Sequence, residues 1–446
     1  MSRARLFGMM LPALAAVLLA TAPASAQVDV QCPGDYDGDG MWNSKYCSQT
    51  LTPCKKNGDC PGGQNQCTGV EVQPANVECM HLSGGDGFVT MADGKLQYIF
   101  SFSDLTGVPE TEAMAAGILA AAFPGPPIVV DQGKEFYLTL TNVGMLMRPD
   151  LFDPHTVHFH GFPQSSTVFD GLPESGLSIN MGASLTYYYN LVEPGTYMYH
   201  CHVEATEHMQ MGMLGNLYVR AAQSWDGCAD LLDCPIGNLG LYDRECGTGD
   251  DVAGIPCGYA YNDGDGTTAY DVEYPLQLGS FDPDFHDASM NVQPLPFAMM
   301  WDRYPMINGR GYPDTIVPGP LPALAENGGI QSQMESSLIT ATVGQKVLLR
   351  LSNLNITTHH TLSSPSIPMR VVAIDAKELI ADDGIEKLHY TTNSVSLSGG
   401  MSADVILDTT DVPAGDYYLY AANLQFLANN DAPGLGGMMT KIVVNP

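Results

Sequence analysis

The chain has 446 residues, with 18 Lys and Arg against 49 Asp and Glu and a formal net charge of −31. A surface this acidic repels nucleic acid and anionic membranes, and attracts cations or basic partners when it is more than a solubility adaptation. The length predicts two or three domains.

Residues 1–26 read as a secretory signal peptide. Arg3 and Arg5 form a positive end, residues 6–21 are an apolar run, and Ala24-Ser25-Ala26 is a cleavage site. The run is too short and wrongly flanked for a membrane span. The expectation is an exported protein, periplasmic or extracellular, without a membrane span. It would start near Gln27 and keep about 420 residues. Losing Arg3 and Arg5 takes the formal charge from −31 to −33.

Residues 27–87 are rich in Cys, Gly and Asp and too short and polar for a sizeable core, so disulfides should staple them. Asp35, Asp37 and Asp39 with Gly40 have the alternation of a calcium loop, in which alternate carboxylates turn towards a hard cation. The twelfth position is Tyr46 and not an acid, so calcium and a solvated acidic turn both stay open.

Residues 88–222 have an all-β texture. Phe136-Tyr137-Leu138-Thr139-Leu140 alternates after Gly133, and residues 185–191 and 196–199 are further β-rich runs. Residues 112–122 are alanine-rich and predict a helix. Two histidine motifs stand in this region. The first is Asp153-Pro154-His155-Thr156-Val157-His158-Phe159-His160-Gly161. The second is Tyr199-His200-Cys201-His202, followed by His208 and Met213. A type 1 copper takes two imidazoles, one thiolate and a weak axial thioether. His155, His208, Cys201 and Met213 supply that set, with Met211 as the alternative thioether. The remaining His158, His160, His200 and His202 form two His-x-His pairs. Alternate residues of a strand share a face, so each pair can approach one metal.

A copper thiolate must stay unpaired, which makes Cys201 the odd one of eleven cysteines. Six of the others precede residue 80 and four (Cys228, Cys234, Cys246 and Cys257) follow, so each group could close on itself in an oxidising compartment.

Residues 223–270 read as a disulfide-pinned connector, in which Asp263-Gly264-Asp265-Gly266 signals a turn. Residues 271–446 form a second β domain that echoes the first. Val343-Gly344-Gln345-Lys346-Val347 parallels Asp131-Gln132-Gly133-Lys134-Glu135, and His360-Thr361-Leu362 parallels His155-Thr156-Val157. Pro413-Ala414-Gly415-Asp416-Tyr417 parallels Glu193-Pro194-Gly195-Thr196-Tyr197.

His200-Cys201-His202, with the upstream His-x-His, resembles the signature of the multicopper oxidase superfamily, and the resemblance covers residues 88–446. It implies tandem cupredoxin-like Greek-key β-sandwiches. It also implies that Cys201 binds a type 1 copper while its neighbours help bind an oxygen-reducing copper cluster. In the family, a second pair of His-x-His motifs completes that cluster. Here the duplicated segments place Ser363 and Pro365 opposite His158 and His160, and Tyr420, Ala421 and Ala422 opposite His200, Cys201 and His202. The second domain therefore lacks type 1 ligands. His359 and His360 are candidate ligands across a subunit interface, much as nitrite reductases share a copper in a homotrimer; the alternative is a structural or surface role. His81, His286 and His389 read as structural.

Three functions remain open at this point. The first is a copper oxidoreductase that passes electrons from a phenol or metal ion to oxygen. The second is a blue-copper electron carrier or copper-binding protein without turnover. The third is a nitrite reductase-like enzyme with a bridging copper.

Overall fold

The computed structural model describes residues 28–33, 45–48, 53–54, 60, 66–68, 76–226, 258–382 and 384–446. The expected signal peptide, the candidate calcium residues Asp35, Asp37 and Asp39, and Cys228, Cys234, Cys246 and Cys257 lie outside the described residues. Among the described residues no helix is long and apolar enough to cross a membrane.

The N-terminal head holds three short strands, β1 (Lys45–Cys47), β2 (Pro53–Cys54) and β3 (Cys67–Thr68), in the order β2-β1-β3. Disulfides Cys47–Cys60 and Cys54–Cys67 close it, and Cys32–Cys79 ties the chain before it to the next domain. The six early cysteines pair among themselves, as expected. Cys201 is free and buried.

The first sandwich contains β4 (Val77–Thr90), β5 (Leu96–Asp104), β6 (Gly125–Asp131), β7 (Glu135–Gly144), β8 (His158–His160), β9 (Ser184–Asn190), β10 (Gly195–His200) and β11 (Leu214–Arg220). One sheet has the order β5-β4-β7-β9 and the other β6-β11-β10-β8. β4 pairs with β7 from Val77 onward, so residues 77–87 pair into this sandwich although the sequence suggests a boundary at 87.

The segment 258–446 contains a small pair, β12 (Gly258–Tyr259) and β13 (Ala269–Tyr270). Then follow β14 (Val272–Phe281), β15 (Tyr304–Ile307), β16 (Ile339–Thr342), β17 (Lys346–Asn353), β18 (His360–Ser363), β19 (Met369–Ile374), β20 (Lys377–Glu378), β21 (Tyr390–Thr392), β22 (Ser394–Leu397), β23 (Met401–Asp408), β24 (Gly415–Ala421) and β25 (Met439–Asn445). The order β15-β14-β17-β23 repeats β5-β4-β7-β9, and β16-β25-β24-β18 repeats β6-β11-β10-β8. The parallel pairs recur as well: β4/β7 and β6/β11 match β14/β17 and β16/β25. The sequence echo is therefore a true structural duplication, with β19 to β22 adding extra strands.

Helix α1 (Glu110–Ala116) is shorter than the alanine run predicts. It stops at Gly117, where a Cβ would lie 2.8 Å from Val143 and 2.9 Å from Ser83, so the chain turns against the sheet there. Two helices of seven and eight residues were not expected. α2 (Ala205–Met211) ends on Gly212 at φ +112°, a left-handed C-terminal glycine. α3 (Pro283–Met290) begins with the Asp282 side chain accepting from the Asp284 amide at 2.9 Å, with proline in the first turn.

β17 shows how the two sandwiches meet. Val347, Leu349 and Leu351 face the second core. The alternate residues Arg350 and Ser352 turn towards the first domain. Arg350 is fully buried. Its Nε donates to Glu273 at 2.8 Å, its Nη1 lies 3.6 Å from Asp404 and 3.3 Å from Thr196 Oγ1, and its guanidinium sits 4.7 Å from the Tyr218 ring centre. Arg220 of β11 pairs with the same Glu273 at 2.7 Å. Burial raises the Glu273 carboxyl, but Arg350 and Arg220 outweigh it and hold the group below the ordinary range. Removing one partner of such a pair leaves a buried charge uncompensated. Arg350→Ala should therefore lower stability by about 3 kcal/mol in urea denaturation; a loss under about 1 kcal/mol would contradict an interface lock.

His81 of β4 is buried with Nε2 2.8 Å from Thr141 Oγ1, and burial lowers its imidazole from 6.5 to about 4. Between those pH values the unfolded chain binds a proton that the native chain refuses. This contribution is present above pH 6.5 and lost as pH falls towards 4, by up to about 3 kcal/mol. His81→Gln should flatten the pH dependence of the denaturation midpoint in that window. An unchanged slope would contradict it.

Candidate metal centre

β10 and β8 set the geometry. They run antiparallel with His200 opposite His158, Tyr199 opposite Phe159 and Met198 opposite His160. Phe159 points into the core, stacked on Tyr189 with ring centres 3.9 Å apart. His158 and His160 therefore take the other face, beside His200. Cys201, one residue beyond the strand, turns to the opposite side from His200.

On that side lies the first donor set. His155, Cys201, His208 and Met213 are all fully buried. One donor atom each from His155, Cys201 and His208 lies within 4.8 Å of the others, and Cys201 Sγ is 3.2 Å from His208 Nδ1. The backbone ties the loop together: the Cys201 amide donates to the Met213 carbonyl at 3.0 Å, and the Met213 amide to the His208 carbonyl at 2.8 Å. α2 lies between them and carries His208. Burial pushes the Cys201 thiol up, but His208 and His155 outweigh it and hold it well below the ordinary thiol value. Burial lowers His208, whereas Cys201 and Asp153 raise it, to about 10. Neither nitrogen of His155 has a hydrogen-bond partner, nor does His208 Nε2, whose nearest acidic atom is Asp153 Oδ2 at 3.8 Å. Buried imidazole nitrogens without partners are costly. A His155 ring without partners and His208 Nδ1 beside the Cys201 thiolate, together with the Met213 thioether, fit a copper ion.

On the other side, donor atoms of His158, His160 and His200 lie within 4.8 Å of one another. The His202 ring is 5.3 Å from that of His158 and 5.5 Å from that of His200. His158 Nδ1 donates to the Asp170 carbonyl at 2.6 Å and His200 Nδ1 to the Cys201 carbonyl at 2.8 Å. These contacts put the lone pair of each ring on Nε2, and that of His200 lies within hydrogen-bond reach of His160 Nδ1, at 3.3 Å. Burial lowers the pKa of His158, His160 and His200, the last to about 3, so the rings are neutral and fit to bind a metal.

These four histidines open on a cavity of about 630 Å³ between the two domains. Its far wall comes from residues 354–359 and 398–400 of the same chain, His359 included. Gly400 comes so close that a Cβ there would lie 2.7 Å from His160 Nε2. The candidate ligands His359 and His360 thus separate. His360 is fully buried, with its ring 5.1 Å from that of Phe426 and its Nε2 3.4 Å from Ser280 Oγ. It cannot serve as an interface ligand, because adjacent residues entering a strand face opposite ways. β18 and β24 pair Ser363 with Tyr420, as β8 and β10 pair His158 with His200. Ser363 and Tyr420 thus occupy the places that His158 and His200 take in the first domain. His286 bridges the Tyr98 and Gln210 carbonyls and His389 meets Glu378, so both have structural roles.

Two multicopper oxidase family models match the chain, one over residues 107–224 and the other over 296–444. The chain belongs to the multicopper oxidase superfamily. Membership implies copper. Laccase 1 of Metarhizium acridum is 31% identical over 125 residues, 27% of this chain and 19% of that protein. Multicopper oxidase MmcO of Mycobacterium tuberculosis is 35% identical over 80 residues, 18% of this chain and 14% of that protein. The matched segment thus spans a fifth or less of these relatives' own length. The fold is shared with the blue copper oxidase from Nitrosomonas europaea (TM-score 0.56, 21% identity, 82% of this chain and 86% of that one). It is shared as well with the copper nitrite reductase from Nitrosomonas europaea (TM-score 0.51, 16% identity, 83% and 94%).

Gly84 is a site residue with no sequence signal. A Cβ there would lie 2.9 Å from His155 Cδ2 and 3.4 Å from Met213 Cε. Gly84→Ala should displace the His155 ring and weaken or shift the blue absorption of the copper-loaded protein, whereas Cys201→Ser should abolish it. A spectrum unchanged in either variant would contradict the assignment.

Proposed function

We propose that the chain is an exported copper oxidoreductase. It takes electrons singly from a reductant at a type 1 site formed by His155, Cys201, His208 and Met213. It delivers them to dioxygen at a second copper centre on His158, His160, His200 and His202. Bound copper supplies the one-electron redox couple at both places. The protein's own part is to hold the thiolate and the imidazoles in place, keep water from the buried set, and leave the histidine cavity open to a small molecule.

The observation that carries this reading is the continuous unit His200-Cys201-His202, whose alternating side chains serve both donor sets. A carrier with one copper needs only the first set; the clustered histidines would then face an open cavity to no purpose. The acidic chain favours a cationic reductant such as Cu(I), Fe(II) or Mn(II), with phenols as the other class.

The test is copper per chain, optical and EPR spectra, and oxygen uptake with each reductant. The expected result is more than one copper per chain and oxygen consumption with at least one reductant. A single blue copper and no uptake would overturn the proposal in favour of an electron carrier.

A further inference from the structure

We infer that the second sandwich positions a ligand of the second copper centre. The turn Ser398-Gly399-Gly400 holds the His160 ring from across the domain boundary, so the docking of the two sandwiches sets that ring for copper. The inference rests on the reading of His158, His160, His200 and His202 as copper ligands.

Contact is the first argument. His160 ends β8, and its Nδ1 lies 3.3 Å from His200 Nε2. Its Nε2 meets the second sandwich instead: a Cβ on Gly400 would lie 2.7 Å from that atom and 3.1 Å from Cε1. The Gly400 amide is already used, donating to the Asn353 carbonyl at 2.8 Å. The Gly400 carbonyl is left to meet the ring, and its hydrogen bond favours a proton there. A carbonyl only accepts, so it fixes the proton on Nε2 and leaves the Nδ1 lone pair facing His200. The His200 Nε2 lone pair faces back, because His200 Nδ1 donates to the Cys201 carbonyl. Two lone pairs without a proton between them repel unless a cation joins them.

The turn is built for this close approach. The Met401 amide closes it by donating to the Ser398 carbonyl at 3.1 Å, and the fully buried Asn353 donates through Nδ2 to the Leu397 carbonyl at 2.8 Å. Both glycines are required. A Cβ on Gly399 would lie 2.2 Å from the Asn355 carbonyl oxygen, and Gly400 takes φ +86° at the third position of the turn. Asn355 is itself fixed, since its Nδ2 donates to Ser280 Oγ at 2.7 Å and to Asp302 Oδ2 at 2.9 Å. Asp302 Oδ1 accepts from Gln210 Nε2 at 3.2 Å, and Gln210 sits on α2, the helix that carries His208. The turn is thus fastened to both sandwiches. Metal sites rely on such supports to orient a ligand before binding.

The experiment uses the full chain and three variants. Gly400→Ala puts a methyl group against His160. Gly344→Ala is its control: Gly344 also has a positive φ, +96°, but a Cβ there meets nothing within 4 Å. The copper-loaded proteins are compared by optical and EPR spectra and by chelator competition. Gly400→Ala should keep the blue spectrum, change the non-blue EPR signal, and weaken the second centre by at least about 10-fold relative to Gly344→Ala. Before copper loading, NMR of isotope-labelled histidine rings reads the tautomer in the unaltered chain, whatever the fate of the variants. The signal that His160→Gln removes should be that of a ring protonated on Nε2.

Equal EPR signals and affinities in Gly400→Ala and Gly344→Ala would overturn the inference, as would a His160 ring protonated on Nδ1. Either result leaves the four-histidine centre standing. A wild-type chain that binds only blue copper would remove both readings together.

Discussion

The two-residue period of a β-strand is the constraint on which the rest of this molecule depends. β10 ends at His200, and the next two residues continue its alternation. Three consecutive residues therefore reach two separate places: Cys201 one side, His200 and His202 the other. The cross-strand pairing of His200 with His158 fixes which histidines of β8 join them. A slip of one residue in that register would send Phe159 into the cavity and His158 and His160 into the core. The stack of Phe159 on Tyr189 and the burial of Tyr199 oppose such a slip, because both large rings would lose their packing. The aromatic core of the first sandwich thus sets the ligand register.

The second sandwich repeats the same strands without the ligands. Ser363 and Tyr420 meet where His158 and His200 meet in the first copy. Its remaining contribution is a wall. Arg350, Glu273 and Asp404 fix β17, β14 and β23 against β10 and β11 through buried charge, hydrogen bonds and the Tyr218 ring. Such a network specifies one docking geometry, since any other would bury unpaired charges. Docking in this geometry brings Gly400 against His160 and residues 354–359 across the cavity.

The parts legible in the sequence are those written in local patterns. Strand alternation, the His-x-His pairs, the echo of Lys346-Val347 with Lys134-Glu135, and the free Cys201 can all be read from neighbouring residues. α3 was not expected, although its start carries a local signal in Asp282-Pro283-Asp284, a capping residue with proline behind it. α2 carries no such signal, because Glu204 enters it at φ +45° without a side-chain cap. Gly84, Asn355 and Asp302 were not legible at all. Their roles come from contacts made across tens to hundreds of residues, and a lone glycine or asparagine in a polar sequence carries no mark of them. His359 and His360 show the same limit: adjacent in sequence, they separate into a cavity wall and a core only once β18 is placed between β22 and β24.

Burial divides the two donor sets by the kind of encounter each permits. The residues of the first set are fully buried, so no reductant can bind there directly. In the proposed function a reductant would give up its electron from the surface, where shape and charge govern contact. The second set faces about 630 Å³ of open cavity, with the His359 imidazole and hydroxyl, amide and backbone groups from the second domain opposite. A small molecule can enter and bind there. Under the proposed function, the electron acceptor would therefore be selected in the interdomain cavity and the electron donor at the protein surface. The covalent unit His200-Cys201-His202 keeps the two apart by one residue.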